Sequence, residues 1–452
     1  MGNAFAIEGG DVGMRKHLPG LMCVCFFAAA MLAGCAGKSG EEKKAGDMPA
    51  LVAEDLKQGN DTIFTMGKGY YYYSNTYHGF RYADSAAGND LYLCNKPECR
   101  HDGNEFCVAT NEKYNIDRVG MYGGRIFATA IETTDTQFKY HLLSIAPDGS
   151  ALNEEVTYLT LENTGVLPAM HVDRTQLYIH RNVAMIPVWM IGDDGTGTMQ
   201  YFGTAIVNLD TKEVTYLDEE PYSTENPEIS EITACGDYFY YCRKGKKKTI
   251  LYRYNIKDGT EEEHKLLVGF KGNYAVLDDN TIVYTKSNNE VLCVYHRDTG
   301  ENEEKVNLRR WQVIWYQGEV ANGYDQGYEA IDLKADGEYL YVMEKEWRTW
   351  YEDEEYNPIG SSEEAYVHVF DREFNEVAAV DMAEAMAFAK EVRDETQDFY
   401  LKYNRKMYFE KDKVFCVLPN ANNAGESYVY VCKREDFLAG NPQFELAYKR
   451  EK

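Results

Sequence analysis

A two-strand phrase recurs along the chain. Its first half is a turn followed by aromatic residues in alternation. Its second half is a short apolar strand that closes in a turn, often Asp-Gly or Asp-Thr. Alternation with a period of two marks strands rather than helices. The clearest copy joins Gly236-Asp237-Tyr238-Phe239-Tyr240-Tyr241 to Ile250-Leu251-Tyr252-Arg253-Tyr254-Asn255-Ile256-Lys257-Asp258-Gly259. Taking Tyr72, Phe127, Tyr178, Tyr240, Tyr284, Tyr341 and Phe415 as equivalent gives seven copies, 44 to 74 residues apart.

A repeat of that length built from period-two strands suits a four-stranded propeller blade. Closing such units into a ring removes the sheet edges that an open array would expose. The expected fold is therefore all-β: a seven-bladed β-propeller of four-stranded antiparallel blades over residues 62–448, with 449–452 as a tail. Two stacked β-sandwiches with similar hairpins are the alternative. One short helix is expected between blades six and seven, from Asp381 to Asp394. There Asp381 can cap, Glu384 follows three residues on, and Met382, Met386, Ala389 and Val392 recur near helical spacing. The phrase Leu251 to Gly259 resembles the blades of receptor-type propellers and of many bacterial cell-surface propellers. It lacks the strict YWTD tetrapeptide and the WD and kelch signatures.

The N-terminal region has a different pattern. Met14-Arg15-Lys16-His17 is basic, an apolar run follows from Leu21 to Leu32, and Ala33-Gly34-Cys35 ends it. That is the layout of a secretory signal. The run is too short for a spanning helix, which needs roughly 20 apolar residues. The small-residues-then-Cys ending resembles the bacterial lipobox, and the resemblance implies cleavage before Cys35 and acylation of that cysteine. Residues 1–13 carry Glu8 and Asp11, wrong for a signal's start, and read as upstream of the true start. Residues 14–34 form the expected lipoprotein signal peptide. Residues 35–61 form a lipid-anchored flexible linker, small and charged in its first part. The expected location is outside the cell membrane, tethered by lipid at the bacterial cell surface.

Charge narrows the partners. The chain has 47 basic and 74 acidic side chains and a formal net charge of -27. Such a surface repels nucleic acid and anionic lipid, so membrane contact falls to the acyl chain.

One segment departs from the repeat. Cys94, Cys99, His101 and Cys107 fall within fourteen residues, among Pro97 and Gly103. Three cysteines and a histidine match a Cys3His tetrahedral site, for zinc first and iron second. Four protein ligands leave no open position, so such a site is structural. A Cys94–Cys107 or Cys99–Cys107 disulfide is the competing reading for an exported protein, with unpaired thiols the third. The segment resembles a Cys-Pro-Cys-His-Cys insert of cell-surface lipoproteins from anaerobic Gram-positive bacteria. Cys235, Cys242, Cys293, Cys416 and Cys432 lie in or beside expected strands and read as small buried hydrophobes. A bridge between Cys416 and Cys432 is a second option there.

The five tryptophans, with several tyrosines, are expected in long loops or first strands on one side of the ring. Trp189 belongs to an insertion over 180–203, and Trp347, Trp350 and Tyr351 to one over 344–365. Trp311 and Trp315 belong to the link between blades five and six. Such residues give flat apolar platforms with polar edges, suited to sugars or protein hot spots. The acidic run Glu352-Asp353-Glu354-Glu355 reads as a solvated loop rather than a calcium site. No G-x-S-x-G, H-E-x-x-H or phosphate loop is present. The expected function is recognition of a glycan, peptide or protein partner rather than catalysis. A polysaccharide-degrading propeller enzyme, a lyase or glycosidase, is the alternative.

Overall fold

The computed structural model describes residues 64–451, except 67–68, 75–78, 85–88, 105, 163–170, 192–198, 224, 245–247, 265–269, 287–290, 308–311, 316–322, 352–357, 387–388, 390–405 and 421–422. Some strand side chains also lie outside it, among them 312–315, 323–331 and 345–351. Seven antiparallel sheets follow one another: residues 64–92, 115–162, 171–216, 229–264, 270–307, 312–381 and 406–451. They are blades one to seven. Blade three splits its first strand into His171–Thr175 and Tyr178–His180, both paired with Val183–Ile191. Blade six adds Gln312–Trp315 in front of Gly323–Ala335, so it carries an extra strand.

Seven apolar clusters fill the seams between consecutive blades. The last joins Tyr70, Tyr72 and Ala83 of blade one to Phe415, Val417, Val429, Val431 and Ala447 of blade seven, which makes the array a ring. Blade seven is built wholly from C-terminal strands, so among the described residues the ring closes by side-chain packing with no strand exchanged between the ends.

Second and third strands are covered on both faces by neighbouring blades, which is why they read as continuous apolar runs. Ile282, Val283 and Tyr284 of blade five and Tyr295, Val294 and Cys293 opposite them are all buried. Fourth strands face water and read as Glu261–His264 or Glu301–Asn307, rich in glutamate. First strands pack on one another around the axis.

Polar ties reinforce the seams. Arg434, in a short helix Arg434–Leu438 inside blade seven, donates to the Tyr341 hydroxyl at 3.1 Å and to Glu338 Oε2 at 2.8 Å in blade six. Arg243 of blade four pairs with Asp218 of the preceding link at 2.8 Å. Cys235, Cys242, Cys293, Cys416 and Cys432 are buried in the seams, as expected of small hydrophobes. Burial pushes the Cys432 thiol up to about 12. Cys416 and Cys432 are unbridged, since the register sets Cys416 opposite Tyr430 and Cys432 opposite Val414.

The helix between blades six and seven is described over Met382–Ala385, and residues 390–394 of the expected span lie outside the described residues. Its start is as expected: the Glu384 N–H donates to Asp381 Oδ1 at 3.1 Å, and Met382, Met386 and Ala389 are buried.

Two phrase assignments are corrected, the pairing of residues 69–73 with 91–94 in blade one and of 176–179 with 205–211 in blade three. Tyr178 lies on the first strand of blade three, and the second strand is Val183–Ile191. Residues 183–191 are apolar enough to be core, so they form blade strand rather than insertion. In blade one the third strand is Gly79–Asp84, and Leu91 belongs to the fourth strand, Asn89–Tyr92. The cysteine segment therefore lies in the connection from blade one to blade two.

One half-buried histidine makes stability depend on pH. His368 on the third strand of blade six has Nε2 2.8 Å from Glu344 Oε2 and Nδ1 3.3 Å from Glu376 Oε1. Burial lowers its proton affinity, but the two carboxylates outweigh this and raise it above the ordinary imidazole value. A raised folded value means the stabilisation is complete below about 6.5, the unfolded pKa. It is lost as pH rises through the higher folded value. His368→Gln should therefore be more destabilising at pH 5.5 than at pH 9 in urea unfolding. A cost independent of pH would contradict this.

Candidate functional site

Two constellations stand out. The first is the cysteine segment. Backbone turns bring its ligands together: the Cys99 N–H donates to Lys96 O at 3.1 Å, and the Cys107 N–H to Asn104 O at 3.0 Å. His101 and Gly103 both take positive φ, 54° and 91°, which folds the loop back on itself. The Cys94, Cys99 and Cys107 sulfurs and a His101 ring nitrogen all lie within 4.8 Å of one another. His101 Nδ1 is 3.5 Å from Cys107 Sγ. Zinc bond lengths of ~2.3 Å to sulfur and ~2.05 Å to nitrogen at a tetrahedral angle require about 3.6 Å for that edge. That edge matches, and the other donors lie near enough to close on one ion.

Electrostatics favour one thiolate. Cys107 is buried, which pushes its thiol up. The Thr110 hydroxyl at 3.2 Å, His101 and the Thr110 N–H at 3.4 Å outweigh burial and pull it down to about 6. At Cys99 a backbone contact at His101 lowers the value, but burial and the Cys107 and Cys94 sulfurs leave it raised. Three clustered thiols cannot all ionise without a cation. All three are unbridged.

The second constellation was not visible in the sequence. A cavity of about 440 Å³ sits among the first strands of blades three to six. Gln176 and Tyr178 come from blade three, Ser230, Glu231 and Thr233 from blade four, Tyr274 from blade five, and Asp332 and Lys334 from blade six. Trp189, from the second strand of blade three, completes the wall. Local irregularity aims the acids. The strand Ile229–Cys235 bulges between Ser230 and Thr233, and Gly323–Ala335 bulges between Ala330 and Asp332. Each bulge re-aims a side chain at the strand edge. Glu231 sits at φ 51°, an uncommon conformation for a residue with a long side chain.

Both carboxylates hold their protons more tightly than usual. Confinement is the main cause for Glu231 and the Asp332 charge adds to it, with Lys244 and Lys334 opposing. Confinement also dominates at Asp332, opposed by Lys334 at 3.7 Å. Glu231 is exposed and Asp332 keeps 39% of its side-chain surface open, so both carboxylates can be reached from the cavity. Blades four and six are not neighbours. Their carboxylates sense each other only because both face the axis.

Of the residues expected to bind ligand, Trp189 lines this cavity, half-buried, with its ring edge-on to Tyr201 at 5.8 Å. Trp315, Trp347, Trp350 and Tyr351 lie on strands of blade six rather than in loops. The pairing sets Trp315 and Tyr351 opposite Gly323, Trp347 opposite Gly327 and Trp350 opposite Tyr324. Hence 344–365 is a hairpin extension of the blade. Trp311, the acidic run 352–355 and the sequence through Cys35 lie outside the described residues. The sequence marks the cavity acids only weakly: Ser230-Glu231 opens the first strand of blade four, whereas Ile331-Asp332 lies near the end of its strand in blade six.

No protein family matches the chain, and no curated protein does. Solved structures do. A candidate 6-phosphogluconolactonase from Bacteroides uniformis ATCC 8492 is 11% identical, with 87% of this chain and 97% of that one covered and a TM-score of 0.35. The Pyrococcus horikoshii acylaminoacyl peptidase is 9% identical over 71% of this chain and 45% of its own, TM-score 0.36. An uncharacterised Listeria monocytogenes EGD-e protein is 8% identical over 74% and 83%, TM-score 0.36. At these values the likenesses carry no argument about chemistry, and the seven-bladed ring stands on its own strand pairing.

Proposed function

We propose that this chain is an exported β-propeller, tethered to the outer face of the cell membrane through acylated Cys35, that recognises a glycan-like ligand at the channel cavity. The observation that carries the reading is the composition of that cavity. Trp189 offers a flat apolar wall, and Gln176, Tyr178, Ser230, Glu231 and Asp332 surround it with hydrogen-bonding groups. Its volume suits one or two sugar rings. Trp311, Trp315, Trp347, Trp350 and Tyr351 are kept as candidates for a second contact surface. Zinc at Cys94, Cys99, His101 and Cys107 is assigned a structural role, fixing the connection between blades one and two.

A glycan array with the purified propeller tests recognition. Trp189→Ala should weaken any hit at least tenfold while leaving unfolding unchanged; binding indifferent to Trp189 would remove the cavity from the proposal. The raised carboxylates Glu231 and Asp332 favour one second reading, acid–base cleavage of the bound glycan. Release of new reducing or unsaturated ends from a hit would decide for it. Tethering is tested separately. Cys35→Ala should move the protein from the membrane fraction to the soluble exported fraction, and unchanged retention would contradict the anchor.

A further inference from the structure

We propose that the channel cavity selects a small organic ammonium ion, a protonated amine carried on a sugar or an alkyl chain. This rests on the cavity being the recognition site and names the chemistry it prefers.

The charge pattern on the wall points this way. Three acids line the cavity: Glu228, Glu231 and Asp332. Lys244 neutralises Glu228 at 2.9 Å, and Lys334 lies 3.7 Å from Asp332 with its ammonium over the Tyr408 ring. Glu231 has no cation within ion-pairing distance among the described residues. It is also the acid that the bulge turns into the channel. Thr233 on the same strand lines the cavity and is buried to 6% exposure, yet its hydroxyl has no hydrogen-bond partner. The unpaired Glu231 carboxylate is the open acceptor that an ammonium group needs, and the enclosed Thr233 hydroxyl two residues on would join it if the wall shifted.

The aromatic wall fits the same ligand. Trp189, Tyr178 and Tyr274 line the cavity, and an aromatic face attracts a cation, that of Trp most strongly. An anion would meet net negative charge here. A neutral sugar would displace solvent from the Glu231 carboxylate without offering a counter-charge, which costs free energy. A bound ammonium instead relieves the repulsion between Glu231 and Asp332. Proton affinity is raised at both carboxylates and a neighbouring ammonium lowers it, so binding at acidic pH should also release protons.

Calorimetry on the intact propeller with D-glucosamine, spermidine, D-glucose and calcium chloride tests this. Glucosamine or spermidine should bind at least tenfold more tightly than glucose. The heat should change between two buffers of different ionisation enthalpy, reporting proton release. Glu231→Gln, which keeps shape and removes charge, should abolish the preference for amine over glucose. Should that variant fail to fold, the glucosamine-to-glucose ratio of the unmodified protein still decides. Binding of glucose as tight as glucosamine overturns the inference. So does calcium binding that is lost with Glu231→Gln while neither amine binds. If amines fail but a glycan hit still depends on Trp189, this inference falls and the recognition reading stands; if amines bind through Glu231 without Trp189, the aromatic wall is removed from it.

Discussion

Replacing Phe415 by alanine is expected to cost about 3–5 kcal/mol of stability, the range for emptying a well-packed aromatic site. Phe415 is 2% exposed at the seam between blades seven and one. Its ring meets Tyr70 edge-on at 5.9 Å, and it lies opposite Val431 across the strand pair. A residue in any other seam is backed by a covalently continuous chain from one blade to the next. Among the described residues this seam has no such connection and no shared strand, so the ring is shut there by side-chain contacts, with this apolar cluster at their centre. The comparison is Ile282→Val in the seam between blades four and five, expected to cost about 1 kcal/mol. Urea unfolding measures both. Phe415→Ala should also speed proteolysis within blades one and seven before the others. A cost below about 1 kcal/mol would mean that the seam is not what closes the ring.

The ring was legible because of how blades stack. Second and third strands are sandwiched between neighbours, so Tyr238–Lys244 and Thr249–Asn255 had to be apolar on both faces and stood out as a phrase. Outer strands meet water, and Glu261–His264 looks like a polar loop when read alone. The same physics explains both misplacements. In blade one the third strand, Gly79–Asp84, has mixed polarity, and the apolar Leu91 drew the assignment to the fourth. In blade three the first strand carries aromatic Tyr178, and the true second strand resembled an insertion because it contains Pro187 and Trp189. The cysteine cluster was legible because its ligands lie within one loop. The channel cavity was not, because its walls come from four blades. Glu231 and Asp332 are separated by a full blade in sequence and converge only when the ring closes. Bulges decide where they point, and a bulge leaves no mark in an alternating pattern beyond one extra residue.

Purifying the protein with reductant and without chelator should yield about one zinc ion per chain, and Cys99→Ser should abolish it. Cys99 is the informative position. Cys107 is buried and receives two hydrogen bonds from Thr110, so its replacement would disturb packing as well as ligation. Cys99 is half-exposed, and its sulfur has little role apart from the cluster. Loss of metal through Cys99→Ser therefore isolates the ion's contribution. That contribution is local. The seams hold the ring, whereas the loop from Cys94 to Cys107 has few apolar groups of its own and leaves Phe106 69% exposed. Chelation should accordingly make residues 94–107 the first proteolytic site, with little loss in ring stability as read by urea. Cobalt in place of zinc should give the strong thiolate absorption of a tetrahedral site. The cluster also holds the turn of blade two: Asn95 donates to Gly149 O at 3.3 Å, and Gly149, at φ 69°, lies so close to Cys94 that an added Cβ would stand 2.7 Å from its backbone nitrogen. Cleavage should therefore spread to residues 146–151 once the metal is gone. Metal-free protein with a mapped Cys94–Cys107 or Cys99–Cys107 disulfide would overturn the zinc assignment, and in that case Cys99→Ser would raise no chelator sensitivity, because none would exist to lose.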